Sequence, residues 1–169
     1  TTTRALNLTA ITGGDTTFTG TISGAGGINK VGSGTVILNQ TAGTGNTYTG
    51  PTLVSQGTLI GEAKGAGSPF GVNSAFTVAN GTLRLNNNTG AFNATDSTGA
   101  LNINSGNAAI IVDGTGAGGN VTNFRFFSFA RTNSATLTVK GITTDIGTFG
   151  NERLSFVAGG SLNGTIGTW

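Results

Sequence analysis

The chain has 169 residues, a length that fits one domain with a sizeable core. Only 8% of the residues are charged and the net charge is +2, against roughly 25% charged residues in an average soluble domain. The eight basic residues are scattered singly, so the clustered cationic patch of a nucleic-acid-binding protein is excluded. Cys and His are absent, which excludes disulfides, thiolate metal sites and a Ser–His–Asp triad.

The composition also limits the class of protein. Thirty-one glycines and many Thr and Asn residues supply turns and polar strand faces. Recurring Val, Ile, Thr and Phe argue against disorder, because these residues favour a pleated surface. No apolar run of about 18 residues occurs, so we expect no direct membrane insertion. The start at Thr1, without Met, leads us to expect a processed or excised segment.

Short alternating runs follow one another along the chain and predict strands with one face inward. In the first run Leu6 and Leu8 flank Asn7. The phrase Gly-Thr-aliphatic then begins at Gly34, Gly57 and Gly81, at two nearly equal intervals. A strand phrase at such a period is typical of a coiled, repetitive architecture whose copies must stack to bury their apolar faces.

Two interleaved sets of strands follow from this spacing. One set is predicted at residues 35–38, 58–60 and 82–85, and the other at residues 52–54, 76–78 and 101–103. Two or three short strands per rung, in register between rungs, predict a parallel β-solenoid with a repeat of roughly 23–25 residues per rung. Its inward positions are expected to form ladders of like residues, with Leu on Leu and Val on Ile.

Beyond residue 105 the period loosens. Candidate strands there lie at residues 109–112, 124–129, 135–139, 154–157 and 162–166. The run Phe124-Arg-Phe-Phe-Ser-Phe129 places aromatics on both faces, which we interpret as a bulged strand that thickens the core. An antiparallel β-sandwich is the alternative fold, because it also gives many short strands with frequent turns.

Two segments resemble the autotransporter-associated β-strand repeat, also called the passenger-associated transport repeat, of bacterial surface proteins. They are residues 18–38, with the phrase Phe-Thr-Gly-Thr-Ile-Ser-Gly-Ala-Gly-Gly-Ile-Asn-Lys-Val-Gly-Ser-Gly-Thr-Val-Ile-Leu, and residues 46–59, with Asn-Thr-Tyr-Thr-Gly-Pro-Thr-Leu-Val-Ser-Gln-Gly-Thr-Leu. The resemblance covers residues 18–60 best, and residues 61–169 are interpreted as more divergent rungs of one module spanning residues 1–169. The residues of the motif are Lys30, Gly32, Gly34, Thr35, Asn46, Thr47, Tyr48, Thr49, Gly50, Gly57, Thr58 and Leu59.

The resemblance implies a right-handed parallel β-helix that a bacterium secretes or displays at its surface. It implies a stalk or passenger role and no active site. Our own expectation adds end-to-end contacts, either with a second copy in a filament or with adjacent repeats of the same chain, because open strand edges template pairing. An adhesin that binds glycans or other surfaces is the alternative function.

Catalysis and metal binding find little support in the residue pattern. The six acids are Asp15, Glu62, Asp96, Asp113, Asp145 and Glu152, and no two of them are spaced to share one strand face. The glycine-rich segment 113–120 has a single Asp, whereas calcium needs several oxygen ligands. Thr-x-Thr pairs at residues 17/19, 47/49 and 136/138 fall too irregularly to favour ice binding. We therefore expect no enzyme activity, no cofactor and no metal.

Overall fold

Fifteen β-strands and no helix make up the part of the chain that the computed structural model describes. The described residues are 4–40, 43, 45–64, 67–87, 94–114, 121–142 and 152–157, with the backbone alone for 94–98. Every recorded pairing joins parallel strands. The fold is therefore a parallel β-solenoid, and the antiparallel sandwich is excluded.

Three sheets run along the solenoid axis, and one passage of the chain through them is called a rung. The six strands of sheet 1 are β1 (Leu6–Thr9), β3 (Ile28–Val31), β5 (Thr52–Val54), β7 (Phe76–Val78), β10 (Leu101–Ile103) and β13 (Phe129–Arg131). The six strands of sheet 2 are β2 (Asp15–Phe18), β4 (Thr35–Leu38), β6 (Gly57–Glu62), β8 (Gly81–Asn87), β11 (Asn107–Gly114) and β14 (Thr136–Gly141). The three strands of sheet 3 are β9 (Ala94–Thr98), β12 (Thr122–Phe126) and β15 (Glu152–Phe156).

The two interleaved strand sets predicted from the sequence are sheets 1 and 2. In sheet 1, Ile28 pairs with Thr52 and Thr52 with Phe76, so two successive rungs have the same length. The predicted rung length is thus confirmed in this part of the solenoid. The rung is longer where Leu101 pairs with Phe129, because the later rungs contain a third strand.

Inward side chains stack into ladders because each rung is in register with the next. In sheet 2, Val36 pairs with Leu59, Leu59 with Leu83 and Leu83 with Ile110. All four are 0% exposed, as expected for a continuous apolar core that no single rung can form alone. The predicted ladders of like residues are thus confirmed in sheet 2.

The aromatic run at residues 124–129 is a corner and not a bulged strand. β12 ends at Phe126 and β13 begins at Phe129, so the chain passes here from sheet 3 into sheet 1 of the next rung. Phe124 and Phe126 are fully buried, whereas Phe127 is 58% exposed. The change of face that suggested a bulge arises because the chain turns between two sheets. The predicted strand at residues 162–166 lies outside the described residues.

Candidate functional site

The rungs that have strands in sheets 1 and 2 only are called narrow rungs, and those with a third strand in sheet 3 are called wide rungs. The residues of the repeat motif gather at two corners of the narrow rungs. Lys30, Gly32, Gly34 and Gly57 lie where the chain passes from sheet 1 to sheet 2, and Asn46 begins the segment that leads back to sheet 1. The remaining motif residues continue these corners, and the pairs Thr35–Thr58 and Val36–Leu59 stack in register. The motif residues therefore form the corners of one rung and allow the next rung to stack on it.

Lys30 occupies a ladder position that is aliphatic in the neighbouring rungs. It pairs with Leu8 in the rung before it and with Val54 in the rung after it, and it is 0% exposed. The stem of the side chain thus replaces an aliphatic residue in the core, while its charged end reaches the corner between the sheets. This arrangement buries the methylene groups and leaves the ammonium group among backbone carbonyls.

The Lys30 ammonium group joins two successive rungs. Its Nζ donates to the carbonyl oxygens of Val31 at 3.0 Å and Gly32 at 2.6 Å in its own corner, and of Gln56 at 3.1 Å in the next. Three acceptors satisfy the three donors of a lysine side chain. Desolvation by burial lowers the pKa of Lys30 below its ordinary value, because the protein interior disfavours the charged form.

Glycines at this corner allow the rungs to approach each other closely. Gly57 has a φ of +66°, and a Cβ atom there would lie 2.5 Å from the carbonyl oxygen of Gly32 and 2.8 Å from Lys30 Nζ. Neither distance accommodates a side chain. Glycine is therefore required at position 57, because the backbone passes beside the lysine and the carbonyl of Gly32.

Asn46 joins three successive rungs on the side of the solenoid where the narrow rungs have no strand. Its Oδ1 accepts from the backbone N–H of Ile22 at 2.7 Å, and its Nδ2 donates to the carbonyl of Pro69 at 2.7 Å. Gln40 donates to the same Pro69 carbonyl at 3.1 Å. Side-chain amides thus add here to backbone hydrogen bonds between rungs, such as the one from Thr47 N–H to the Ile22 carbonyl at 2.9 Å, on the side that a third sheet occupies later in the chain.

Tyr48 lies inside the solenoid and not on its surface. It is 1% exposed, and its hydroxyl shares a hydrogen bond of 2.7 Å with Thr52 Oγ1. Thr52 in turn contacts Ser74 Oγ at 3.3 Å, and Ser74 donates to the Gly50 carbonyl at 2.6 Å. This position suits a structural role for Tyr48 at the corner and leaves its ring unavailable for stacking on a sugar.

The side chains of Thr47 and Thr49 are exposed beside these buried groups. The Thr-x-Thr pairs do not stack on one another, since Thr17 pairs with Ile37 and Thr138 with Ala109. The Thr-x-Thr pairs therefore form no ladder, whereas single threonines do stack at Thr35, Thr58 and Thr82.

Three carboxylates in the described part of the chain, those of Glu62, Asp113 and Glu152, are engaged with protein donors. Glu152 is 0% exposed and accepts from the backbone N–H groups of Gly114 at 2.9 Å and Ile142 at 3.0 Å. Asp113 forms an ion pair with Arg84, and Glu62 accepts from Asn86 at 2.8 Å. No cluster of three or more potential His, Cys, Asp or Glu ligands occurs among the residues described. The expected absence of enzyme activity stays a prediction.

The family comparison agrees with the geometry of this corner. The family model named Passenger-associated-transport-repeat matches residues 28–60. Residues 28–60 are thus similar to a passenger-associated transport repeat. This repeat begins at β3, contains Lys30, Asn46, Tyr48 and Gly57, and ends within β6. Its presence indicates an autotransporter passenger-associated module and a secreted or cell-surface protein. Neither a curated protein nor a solved structure matches the chain.

Within the described residues, no helix is long and apolar enough to cross a membrane. The predicted resemblance at residues 28–60 is confirmed, and residues 18–27 lie outside the matched range. Sequence reasoning missed the inward position of Lys30. The signal that would have found it is the register that places Lys30 between Leu8 and Val54.

Proposed function

We propose that this chain is a structural module of a passenger, a stalk segment that supports secretion and surface display. The observation that carries the proposal is the direction of the polar motif side chains. Lys30, Asn46 and Tyr48 are each at most 1% exposed, and they bond to groups within the solenoid. Polar groups that are buried and bonded in this way serve the stacking of rungs and not the capture of a ligand.

Stacking on neighbouring segments belongs to the same proposal. Among the described strands, β1 and β2 stand at one end of sheets 1 and 2, and β13 and β14 stand at the other. An edge strand offers unpaired backbone groups to a further strand. A neighbouring β-solenoid segment, from the same longer chain or from another chain, would continue these sheets.

A display assay tests the structural role. The chain is placed between an epitope tag and a translocating β-barrel, and the tag is measured by antibody binding to intact cells. We expect Lys30→Glu to reduce the displayed tag, because it puts a carboxylate among three carbonyl oxygens. Thr47→Glu is the matched control, since Thr47 is an exposed residue of the same repeat. Equal display of both variants would contradict the proposal.

Adhesion is the second candidate function, and one exposed aromatic side chain favours it. Phe127 is 58% exposed and Val157, which follows at the equivalent corner of the next rung, is 60% exposed. An exposed aromatic ring next to an aliphatic residue is a suitable surface for a sugar face. A glycan array separates the two functions, because adhesion requires binding that Phe127→Ala removes and a stalk segment requires none.

A further inference from the structure

The two ends of the solenoid have different sizes. At the narrow end, formed by β1 and β2, Leu6 pairs with Ile28 and Asp15 with Thr35, the two shortest steps along the chain among the recorded pairings. At the wide end, formed by β13, β14 and β15, Thr122 pairs with Glu152, the longest recorded step. The narrow end contributes strands to two sheets and the wide end to three.

The wide end leaves its inward layer incompletely covered. Five inward apolar side chains of its three strands are only half-buried: Phe129, Leu137, Val139, Leu154 and Phe156. Their equivalents one rung further inside are between 0% and 2% exposed: Leu101, Ala108, Ile110, Phe124 and Phe126. The same ladder positions thus become fully buried once another rung lies on top of them.

The narrow end exposes apolar side chains as well, but fewer of them lie on the inward faces of its strands. Leu8 is 1% exposed and Ala10 is 5% exposed, and the half-buried Phe18 and Ile22 pack against the core beside them. Leu6 in β1 is 45% exposed, and Ile11, between β1 and β2, is 75% exposed. Burial of apolar surface is the main driving force of association, and the wide end offers five inward side chains for such burial.

We propose that the wide end is a docking surface for a three-sheet rung of another β-solenoid segment. The partner's strands would add in parallel to β13, β14 and β15, and its inward apolar side chains would cover the five half-buried residues. The pairing repeats the one already present between β12 and β15 and between β11 and β14. The partner is therefore recognised by its three strands, by a rung as long as the step from Thr122 to Glu152, and by its apolar inward layer.

The narrow end of a second copy fits this surface poorly. It would pair with β13 and β14 but would offer no strand to β15, so Leu154 and Phe156 would stay half-buried. Head-to-tail stacking of this chain into a filament is thus disfavoured.

The wide end of a second copy is also a poor partner. Arg131 and Lys140 lie on the edge strands β13 and β14 and are exposed. A head-to-head arrangement that pairs β14 with its own copy brings both Lys140 side chains onto that strand pair. Like charges on paired strands are unfavourable, and edge lysines are a common device against such pairing.

Two insertions into the full chain test the proposal. The first places a second copy of residues 128–157 directly after Val157, so that the original wide end becomes an internal rung. The second places a copy of residues 27–51, a narrow rung, at the same point. Ala130→Ser and Val157→Ile in the first insert make its peptides distinguishable by mass. Amide hydrogen exchange is then measured in the original β13 and β15, and protection of β4, β6 and β8 checks that each variant is folded.

We expect the wide insert to slow exchange in the original β15 by roughly tenfold or more, because local opening then breaks a second ladder of hydrogen bonds. The narrow insert is expected to leave β15 close to its original rate. Equal protection by the two inserts, or no protection by the wide insert in a folded variant, would overturn the proposal.

Sedimentation of the unmodified chain tests whether a second copy of this chain occupies the wide end. We expect a monomer at all concentrations. A concentration-dependent dimer or filament would overturn the proposal in favour of a second copy as the partner. The inference rests on the structural role proposed above, but the two fail separately. Glycan binding would remove the stalk role and leave the exchange result unchanged, whereas equal protection by both inserts would remove the docking surface and leave the display result unchanged.

Discussion

The narrow rungs and the wide rungs of this solenoid close their third side and fill their interior with different kinds of side chain. The narrow rungs have two strands each and close their third side with polar side chains such as Asn46 and Gln40. The wide rungs have a third strand and fill the space behind it with aromatic rings, among them Phe124 and Phe126, whose centroids are 4.5 Å apart. A short perimeter leaves room for hydrogen-bonded amides, whereas a longer perimeter encloses more space and has to be filled by large apolar side chains.

The sharpest way to break the wide rungs is to remove one aromatic side chain. Phe124 is fully buried and contacts Phe70 at 5.5 Å, Phe76 at 6.3 Å and Phe126 at 4.5 Å between ring centroids. We expect Phe124→Ala to lower the free energy of unfolding by about 3–5 kcal/mol through the cavity it leaves. Urea denaturation followed by circular dichroism measures the loss.

Phe127→Ala is the control for that variant, because Phe127 is 58% exposed. It should change the free energy of unfolding by no more than about 0.5 kcal/mol. Equal losses at the two positions would show that the aromatic layer does not carry the stability of the wide rungs.

In the narrow rungs the largest effect is expected from Gly57→Ala. A left-handed backbone costs a non-glycine residue roughly 1–2 kcal/mol, and at Gly57 the added Cβ would also collide with the corner of the previous rung. Gly13→Ala is the matched control, because Gly13 has a φ of +76° and no atom within 4 Å of an added Cβ. We expect a larger drop in the urea midpoint for Gly57→Ala, and equal drops would refute the close packing of the two rungs.

Lys30→Met separates the two roles of the buried lysine. Methionine keeps an unbranched apolar stem in the ladder but leaves the carbonyls of Val31, Gly32 and Gln56 without their donor. Loss of a partner for buried polar groups costs about 1–3 kcal/mol, so we expect a loss of that size in urea denaturation. Lys64→Met, at a half-buried position, is the control. A Lys30→Met variant as stable as the parent would mean that the stem alone matters.

The smallest expected effect is a pH dependence of stability that also arises from the burial of Lys30. Burial lowers the pKa of Lys30 from the ordinary value of 10.5. Between the lowered pKa and pH 10.5 the unfolded chain binds more protons at this residue than the folded chain, so its contribution to stability rises with pH. The urea midpoint of the parent chain should increase across this window relative to that of Lys30→Met. Parallel pH profiles of the two proteins would contradict the shift.

Much of the fold was predictable because the narrow rungs repeat one short phrase at a nearly constant interval. The alternation of Leu83 and Leu85 and the recurrence of Gly34, Gly57 and Gly81 give both the strands and their register. Sheet 3 was not predictable in the same way. Its first strand, Ala94–Thr98, contains Ala, Thr, Asp and Ser and has no apolar alternation that marks a strand.

The candidate site was predictable in its members and not in its arrangement. The motif indicated which residues matter at the corners, including Lys30 and Gly57. That Lys30 turns inward follows from the pairing of β3 with β1 and β5, a relation between rungs that a single rung does not reveal. The corner at Phe127 was misinterpreted for the same reason, because a change of face along one strand resembles a change of sheet.

The direction of the backbone hydrogen bonds has a consequence for a chain that is pulled. They run along the solenoid axis, so tension applied along that axis to the ends loads the bonds of one rung boundary at a time. Rungs should then peel off singly, each releasing roughly 70–100 Å of chain at about 3.4 Å per extended residue. In optical tweezers we expect a ladder of low-force steps that lengthen from the narrow end to the wide end, and a single high-force rupture would speak against it. Such a module lengthens under load in small steps, one rung at a time.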